Sequence, residues 1–208
     1  MSAAAGVVLA GGSSTRMGAP KASLPWDGAT LLARVVAAVA PAVERVVVVG
    51  APGQDLPPLP AGVDVVDDAI GGRGPLEGIA AGLAAVAPGH DRALVAAVDL
   101  PWLTTPLAAR VLAALGDDVD AAVPTREGRP QPLLAAYRTA LAADARALLD
   151  AGERRARALM GVARVRLLDE DALLADPAVA AADPALRGLR DVDTPADLIR
   201  ARVWRVTT

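Results

Sequence analysis

Short apolar runs, each broken off by glycine, proline or an acidic residue, constrain the fold of this chain more than any other feature. Residues 6–10, 45–49, 63–66, 93–98 and 119–123 suit strands and are too short for helices. The run 45–49 is rich in valine, as in a strand buried on both faces, and 93–98 is the most apolar of the set. Helical segments lie between them. Thr30 can cap a helix to about Val39, which Pro41 ends; Pro75 suits the first position of a helix through Val86; Thr104 or Thr105 can cap another to about Leu115. Strands interleaved with helices in this way predict an α/β fold with a mainly parallel sheet. Within the second helix Gly78 and Gly82 stand four apart among alanines, beside Glu77, a spacing that reads as tight packing on a sheet.

Composition agrees with that layering. The chain has 208 residues, the ordinary size of one domain. Hydrophobic residues make up 53%, yet Trp26, Trp102, Tyr137 and Trp204 supply all the aromatic rings, so Ala, Val and Leu build the core. A formal charge of −3 provides no counterion-release drive toward a duplex, and the shortage of rings removes stacking platforms for single strands. No nucleic-acid partner is expected. The absence of cysteine excludes thiolate nucleophiles, disulfides, iron–sulfur clusters and cysteine zinc sites. The amino end lacks a basic segment, and no run approaches the ~18 apolar residues of a membrane span, so a soluble cytoplasmic protein with no membrane partner is expected.

The first strand leads into residues 7–21, VVLAGGSSTRMGAPK. At Gly11 and Gly12 the backbone can take positive φ and approach a ligand closely; hydroxyls follow, then Arg16 and Lys21. Clustered N–H groups beside positive charge suit the oxygens of a nucleotide phosphate chain. The loop is neither a Walker loop, since Gly18 is followed by Ala19, nor the dinucleotide fingerprint Gly-x-Gly-x-x-Gly. In open α/β sheets ligands bind outside the carboxyl ends of strands, where two further loops, 67–78 and 99–103, would lie beside it. Asp99 directly follows the most apolar strand, a position that disfavours a carboxylate unless something pairs with it. Mg²⁺ shared with phosphate oxygens would do so. A turn or cap before Pro101 is an equal account in isolation, and the neighbouring first loop favours the metal. Gly74 and Pro75 bring N–H groups at a helix start to the same edge, though packing alone could require the glycine. Asp68 or, equally, Asp67 could hold a base or ribose, or merely solvate a turn. His90, the one histidine, precedes a strand and so lies at the wrong end.

The later third is less regular. Residues 124–137 suggest a hairpin with 126–129 at its tip, 141–149 a helix, 153–157 a possible second helix start, 164–168 a strand and 183–190 a loop. Thr194-Pro195 opens a final helix to about Trp204.

The first loop resembles the nucleotidyltransferase signature Leu-Ala-Gly-Gly-x-Ser-x-Arg-Met-Gly-x-x-Lys. Leu9, Ala10, Gly11, Gly12, Ser14, Arg16, Met17, Gly18 and Lys21 carry the match, and the spacer before Lys21 is a residue shorter than in some members. Gly74-Pro75-Leu76, Asp99-Leu100-Pro101, Gln131-Pro132-Leu133, Gly152-Glu153-Arg154-Arg155 and Val192-Asp193-Thr194-Pro195 come after it in order. As a series they resemble the molybdenum cofactor guanylyltransferases over nearly the whole chain. The resemblance implies a single three-layer, doubly wound, Rossmann-like domain over residues 1–208. It implies transfer of GMP from GTP to molybdenum-loaded molybdopterin, with Mg²⁺ required, and hand-over to recipient molybdoenzymes or cofactor-insertion proteins. It implies nucleotide contacts from Leu9, Ala10, Gly11, Lys21, Asp68 and Asp99, the last also holding the metal. Gly12, Gly74 and Pro75 are added from the residues themselves.

On this view Lys21 and Arg16 stabilise charge moving onto pyrophosphate, and Asp99 acts through the metal. Arg129, Gln131, Arg154, Arg155, Arg157 and Asp193 are candidates for the second substrate, with a solvated helix face as the alternative for the arginines. Two departures stand out. The family Asn after the second strand is missing, with Gly50-Ala51 near its place, and Asp191-Val192-Asp193 replaces the usual Asn-Val-Asn. Other readings are a nucleotidyltransferase making the cytosine form of the cofactor or an activated sugar or alcohol, and a non-catalytic cofactor-delivery protein.

Overall fold

A computed structural model describes residues 4–11, 20–68, 74–194 and 196–199. Strand β1 (Ala4–Leu9) enters the region that ends at Lys21; a small antiparallel pair, β2 (Pro25–Trp26) and β3 (Ala29–Thr30), leads into α1 (Leu31–Val39). Then come β4 (Arg45–Gly50), β5 (Val63–Asp67), α2 (Pro75–Val86), β6 (Arg92–Ala97) and α3 (Thr105–Ala113). The later third supplies β7 (Ala121–Arg126), β8 (Arg129–Pro130), β9 (Leu134–Arg138), α4 (Leu141–Asp150), β10 (Val165–Leu168), α5 (Glu170–Leu174) and α6 (Pro177–Ala182).

Local signals in the first part act as expected. Thr30 accepts a hydrogen bond from Ala33 N and Thr104 one from Leu107 N, so each caps its helix, while Pro75 takes the first turn of α2. One eight-stranded sheet has the order β10-β7-β9-β6-β1-β4-β5, with β8 attached to β7. Strands β6, β1, β4 and β5 run parallel, and β10 is parallel to β7. β9 lies antiparallel between β6 and β7.

Alternation along the strands divides the core into two layers. Val8, Val48 and Leu94 face α1 and α3, whereas Val7, Val47 and Val95 face α2 and α4. These valines and the leucine are fully buried, each contributing roughly 1.5–3 kcal/mol. The sheet is thus covered on both faces, as a doubly wound α/β domain requires. Gly82 of α2 presses on the sheet so closely that a Cβ there would collide with Val7, and one at Gly78 would lie 3.2 Å from Leu9 Cδ2. Their spacing is therefore a packing device for the sheet.

The later third departs from the expected single hairpin. β7 turns tightly into β8 through Glu127 and Gly128, both at positive φ, and then pairs again, antiparallel, with β9. Residues 131–133 leave the ladder between these pairings. The stretch 153–157 leads into a 3₁₀ turn, Ala156–Gly161, instead of an α-helix. Thr194 and Asp197 cap each other at the start of a helical turn over residues 196–199, and the rest of the expected final helix, with Pro195, lies outside the described residues. Among the described residues no helix is long and apolar enough to cross a membrane.

Candidate active site

The parallel strands bring their carboxyl ends to one edge. Ladder-like hydrogen bonds continue past the strands and fix the residues beyond them. Ala10 N and Gly11 N both donate to Val49 O, at 2.8 and 3.1 Å, and Asp68 N donates to Gly50 O at 2.8 Å. Val98 N donates to Leu9 O at 3.0 Å, delivering Asp99 to the same edge. A cavity of about 360 Å³ opens there, lined by Leu9, Ala10, Gly11, Lys21, Asp68, Gly74, Pro75 and Asp99 among others. The expected nucleotide contacts that fall within the described residues are therefore gathered in one place. Gly12 and Arg16 lie outside the described residues. Asp67, the alternative to Asp68, is exposed at the end of β5 and does not line the cavity.

Lys21 stands at the centre of the charges. Its Nζ donates to Asp99 Oδ2 at 2.8 Å and to Asp193 Oδ1 at 2.7 Å, although Asp193 is 172 residues away in the chain. Val192 makes that meeting possible: its side chain is buried and its N–H donates to Asp99 O at 2.9 Å. Burial of Lys21 works against its charge, but the carboxylates of Asp99 and Asp193 outweigh this and hold its pKa above the usual value. Asp68 is the opposite case. Burial first, and the charges of Glu77 and Asp67 next, push its carboxyl upward. Among the described residues Asp68 Oδ1 is buried without a hydrogen-bond partner, and Asp68 lines the first cavity. Glu77 itself is fully buried in the first turn of α2 and is paired with Arg146 of α4 at 2.9 Å.

A second cavity, about 440 Å³, adjoins the first and shares Gly74, Pro75, Ala97, Asp99 and Leu133 with it. Its remaining walls include Gln131, Pro132, Leu134, Arg154, Arg155, Arg157, Leu189 and Asp191. The antiparallel β9 explains how residues 131–134 arrive: its beginning lies at the edge where its parallel neighbours end. Ala97 N donates to Leu133 O at 2.8 Å, and the buried Tyr137 hydroxyl holds Pro132 O at 2.8 Å. Gly74 has φ +82°, and a Cβ on it would sit 2.8 Å from Arg154 O, the carbonyl to which Leu76 N donates. The two motifs containing Gly74 and Arg154 are thus parts of one wall.

Two placements correct or extend the sequence reading. Arg129 is not brought to either cavity; it lies exposed on the β7–β8 hairpin, which turns away before residue 131. Gln54, in a proline-rich connection that offered no signal, places its carboxamide beside Ala10 at the edge of the first cavity. Its Nε2 donates to Ala10 O at 3.0 Å and its Oε1 accepts from Ala51 N at 2.9 Å. An amide therefore stands beside Gly50-Ala51 after all, supplied from further along the chain. His90 lies before β6, far from this edge, as expected.

Solved structures share this architecture. The molybdopterin-guanine dinucleotide biosynthesis protein A of Archaeoglobus fulgidus aligns with a TM-score of 0.72 over 98% of this chain and 100% of its own, at 21% identity. The 2-C-methyl-D-erythritol 4-phosphate cytidylyltransferase of Thermus thermophilus aligns with a TM-score of 0.67 over 96% and 97%, at 24% identity. At these identities the likeness is one of fold, and the fold is that of the nucleotidyltransferases. The sequence carries the assignment further. Residues 6–169 match the MobA-like NTP transferase domain, and the chain belongs to that family of nucleotidyltransferases in molybdenum cofactor biosynthesis. A probable molybdenum cofactor guanylyltransferase of Mycobacterium tuberculosis is 44% identical over 160 residues, 75% of this chain and 78% of that protein.

Proposed function

We propose that this enzyme transfers GMP from GTP to molybdenum-loaded molybdopterin, giving the guanine dinucleotide form of the cofactor and pyrophosphate. The observation that carries the reading is the shared wall. A cavity suited to a nucleotide and a larger one with apolar sides and a guanidinium rim meet at Asp99, beside Lys21. Two substrates held on either side of one point are what a group transfer requires.

The acceptor's phosphate oxygen attacks the α-phosphorus of GTP. A new P–O bond forms in line with the breaking bond to the β-phosphate oxygen, and pyrophosphate leaves with that electron pair. The nucleophile is already anionic, so no general base is needed; alignment and neutralisation of like charge are. Lys21, kept protonated by its two carboxylates, is placed to exchange Asp193 for phosphate oxygens as charge moves onto pyrophosphate. Arg16 adds a second cation in this reading. Asp68, which lines this cavity, offers its carboxylate to donors on the guanine or the ribose.

Mg²⁺ fits the donor set. It is held by one or two carboxylates with water and phosphate completing its shell. Asp99 supplies a hard oxygen at the wall. Asp99 would hold the ion, which would supply charge neutralisation at the α-phosphate. On this reading residues 1–208 form one nucleotidyltransferase domain that works in the cytoplasm and passes its product to recipient molybdoenzymes or cofactor-insertion proteins.

The test is product formation. Purified protein, Mg²⁺ and metal-loaded molybdopterin are mixed with GTP, CTP, UTP or ATP in turn, and pyrophosphate and product mass are measured. The guanine dinucleotide from GTP alone is expected. The cytosine product from CTP would transfer the assignment to the sister reaction, and no product with any nucleotide would end it.

A further inference from the structure

The arginines that border the second cavity are not equivalent. Arg154 Nη1 donates to Leu149 O at 2.9 Å and to Glu153 O at 2.8 Å, closing the turn beneath Gly74. Arg155 is held by Glu153, through Nε at 3.0 Å and Nη2 at 2.7 Å. Glu153 also accepts from the backbone N–H groups of residues 154 and 155, and these bonds, led by the Arg155 guanidinium, hold its carboxyl well below the usual range. Both guanidinium groups are therefore occupied in shaping the chain.

Arg157 lines the same cavity and differs in kind. Among the described residues its guanidinium makes no ion pair or hydrogen bond. Its backbone is nevertheless fixed: it lies in the Ala156–Gly161 turn, whose Ala156 and Leu159 are buried in the core under α2 and α4. An uncommitted guanidinium on an anchored turn, at the rim of an apolar cavity, is a preorganised fork for a planar pair of oxygens.

Building on the reading of this cavity as the acceptor's, we propose that Arg157 binds an oxyanion of the acceptor substrate, while Arg154 and Arg155 only shape the wall. Molybdopterin offers that chemistry as its phosphate monoester or, when loaded, as metal-bound oxygen.

The experiment measures equilibrium binding of metal-free and metal-loaded molybdopterin, and separately of GTP, to wild type, Arg157→Ala, Arg157→Lys and Arg45→Ala. Arg45 begins β4 at the opposite end of the sheet and controls for net charge. Arg157→Ala is expected to weaken acceptor binding on the order of 10–100-fold and leave GTP affinity within about twofold, the size of one charge-assisted contact. Lysine should restore part of the loss, because it keeps the charge without the fork. Equal losses for both forms of acceptor assign the phosphate, and a loss confined to the loaded form assigns the metal end. Acceptor binding by Arg157→Ala that matches wild type overturns the role of Arg157 and leaves the cavity assignment standing. Wild type that binds GTP but neither form of molybdopterin overturns the cavity assignment and this inference together.

Discussion

The first cavity is walled by backbone that prolongs regular strands, whereas the second is walled largely by turns drawn from distant parts of the chain. On the first side Ala10, Gly11 and Asp68 are each tied by backbone bonds to β4 or its end, and the glycines of α2 lock the helix against the strands below. On the second side separate bonds hold separate turns: Leu76 N on Arg154 O, the Tyr137 hydroxyl on Pro132 O, Ala97 N on Leu133 O and Val192 N on Asp99 O. A ladder shares load among many bonds, while an isolated turn depends on one or two. The first cavity thus rests on a stiff platform, and the second can be reshaped by a turn residue without disturbing the sheet.

The wall common to both sides offers the sharpest way to break this contrast. Asp99→Asn should lower kcat by on the order of 10²–10³, equal to roughly 3–4 kcal/mol of transition-state stabilisation, whichever substrate is varied. Lys21 keeps Asp193 in that variant, so the loss of apo stability should be about 1 kcal/mol or less. Rates with each substrate varied, together with thermal melts, check this. A defect confined to the affinity of one substrate would remove Asp99 from the shared position.

Gly74→Ala probes the weaker wall. Positive φ and the Arg154 carbonyl both oppose a side chain, so folding should be weakened by about 1–3 kcal/mol. Acceptor KM should rise more than nucleotide KM, because the carbonyl that has to move belongs to the turn of the second cavity. Equal rises in a two-substrate titration would mean that the two sides move as one.

Asp68→Asn touches only the platform and has the smallest effect on stability. The folded pKa of Asp68 lies above its unfolded value, so this carboxyl favours folding at low pH. That contribution is lost as pH rises from the ordinary carboxylate range through the folded pKa. The amide should therefore raise stability by about a few tenths of a kcal/mol at neutral pH and give no gain in acid. Nucleotide affinity should fall several-fold, roughly the worth of one hydrogen bond, with acceptor affinity unchanged. Denaturant titrations in acid and at neutral pH, with binding of each substrate, decide it. A variant less stable than wild type at neutral pH would show that Asp68 has a partner when folded.

How much of this is readable from the chain depends on how local the cause is. Thr30, Pro75 and Thr104 act on bonds within one turn of themselves, and the valine runs declare strands by their own burial pattern, so the parallel half of the sheet and the gathering of residues at its carboxyl edge are legible in advance. Gly78 and Gly82 give their packing role through spacing alone. The short helices α5 and α6 escape a reading by pattern although Asp169 and Asp176 cap them; segments of that length gain stability chiefly from burying Leu173 and Val179 against the rest of the molecule. The insertion of β9 between β6 and β7, the reach of Gln54 to Ala10 and the meeting of Asp193 with Lys21 were decided by tertiary structure, as was the division of the arginines into two bound within the wall and one whose guanidinium has no partner among the described residues. Caps, periods and turns are energies between neighbours in sequence, which the sequence states directly. Which carboxylate finds which cation across the chain is fixed only when the packed sheet sets the distance between them.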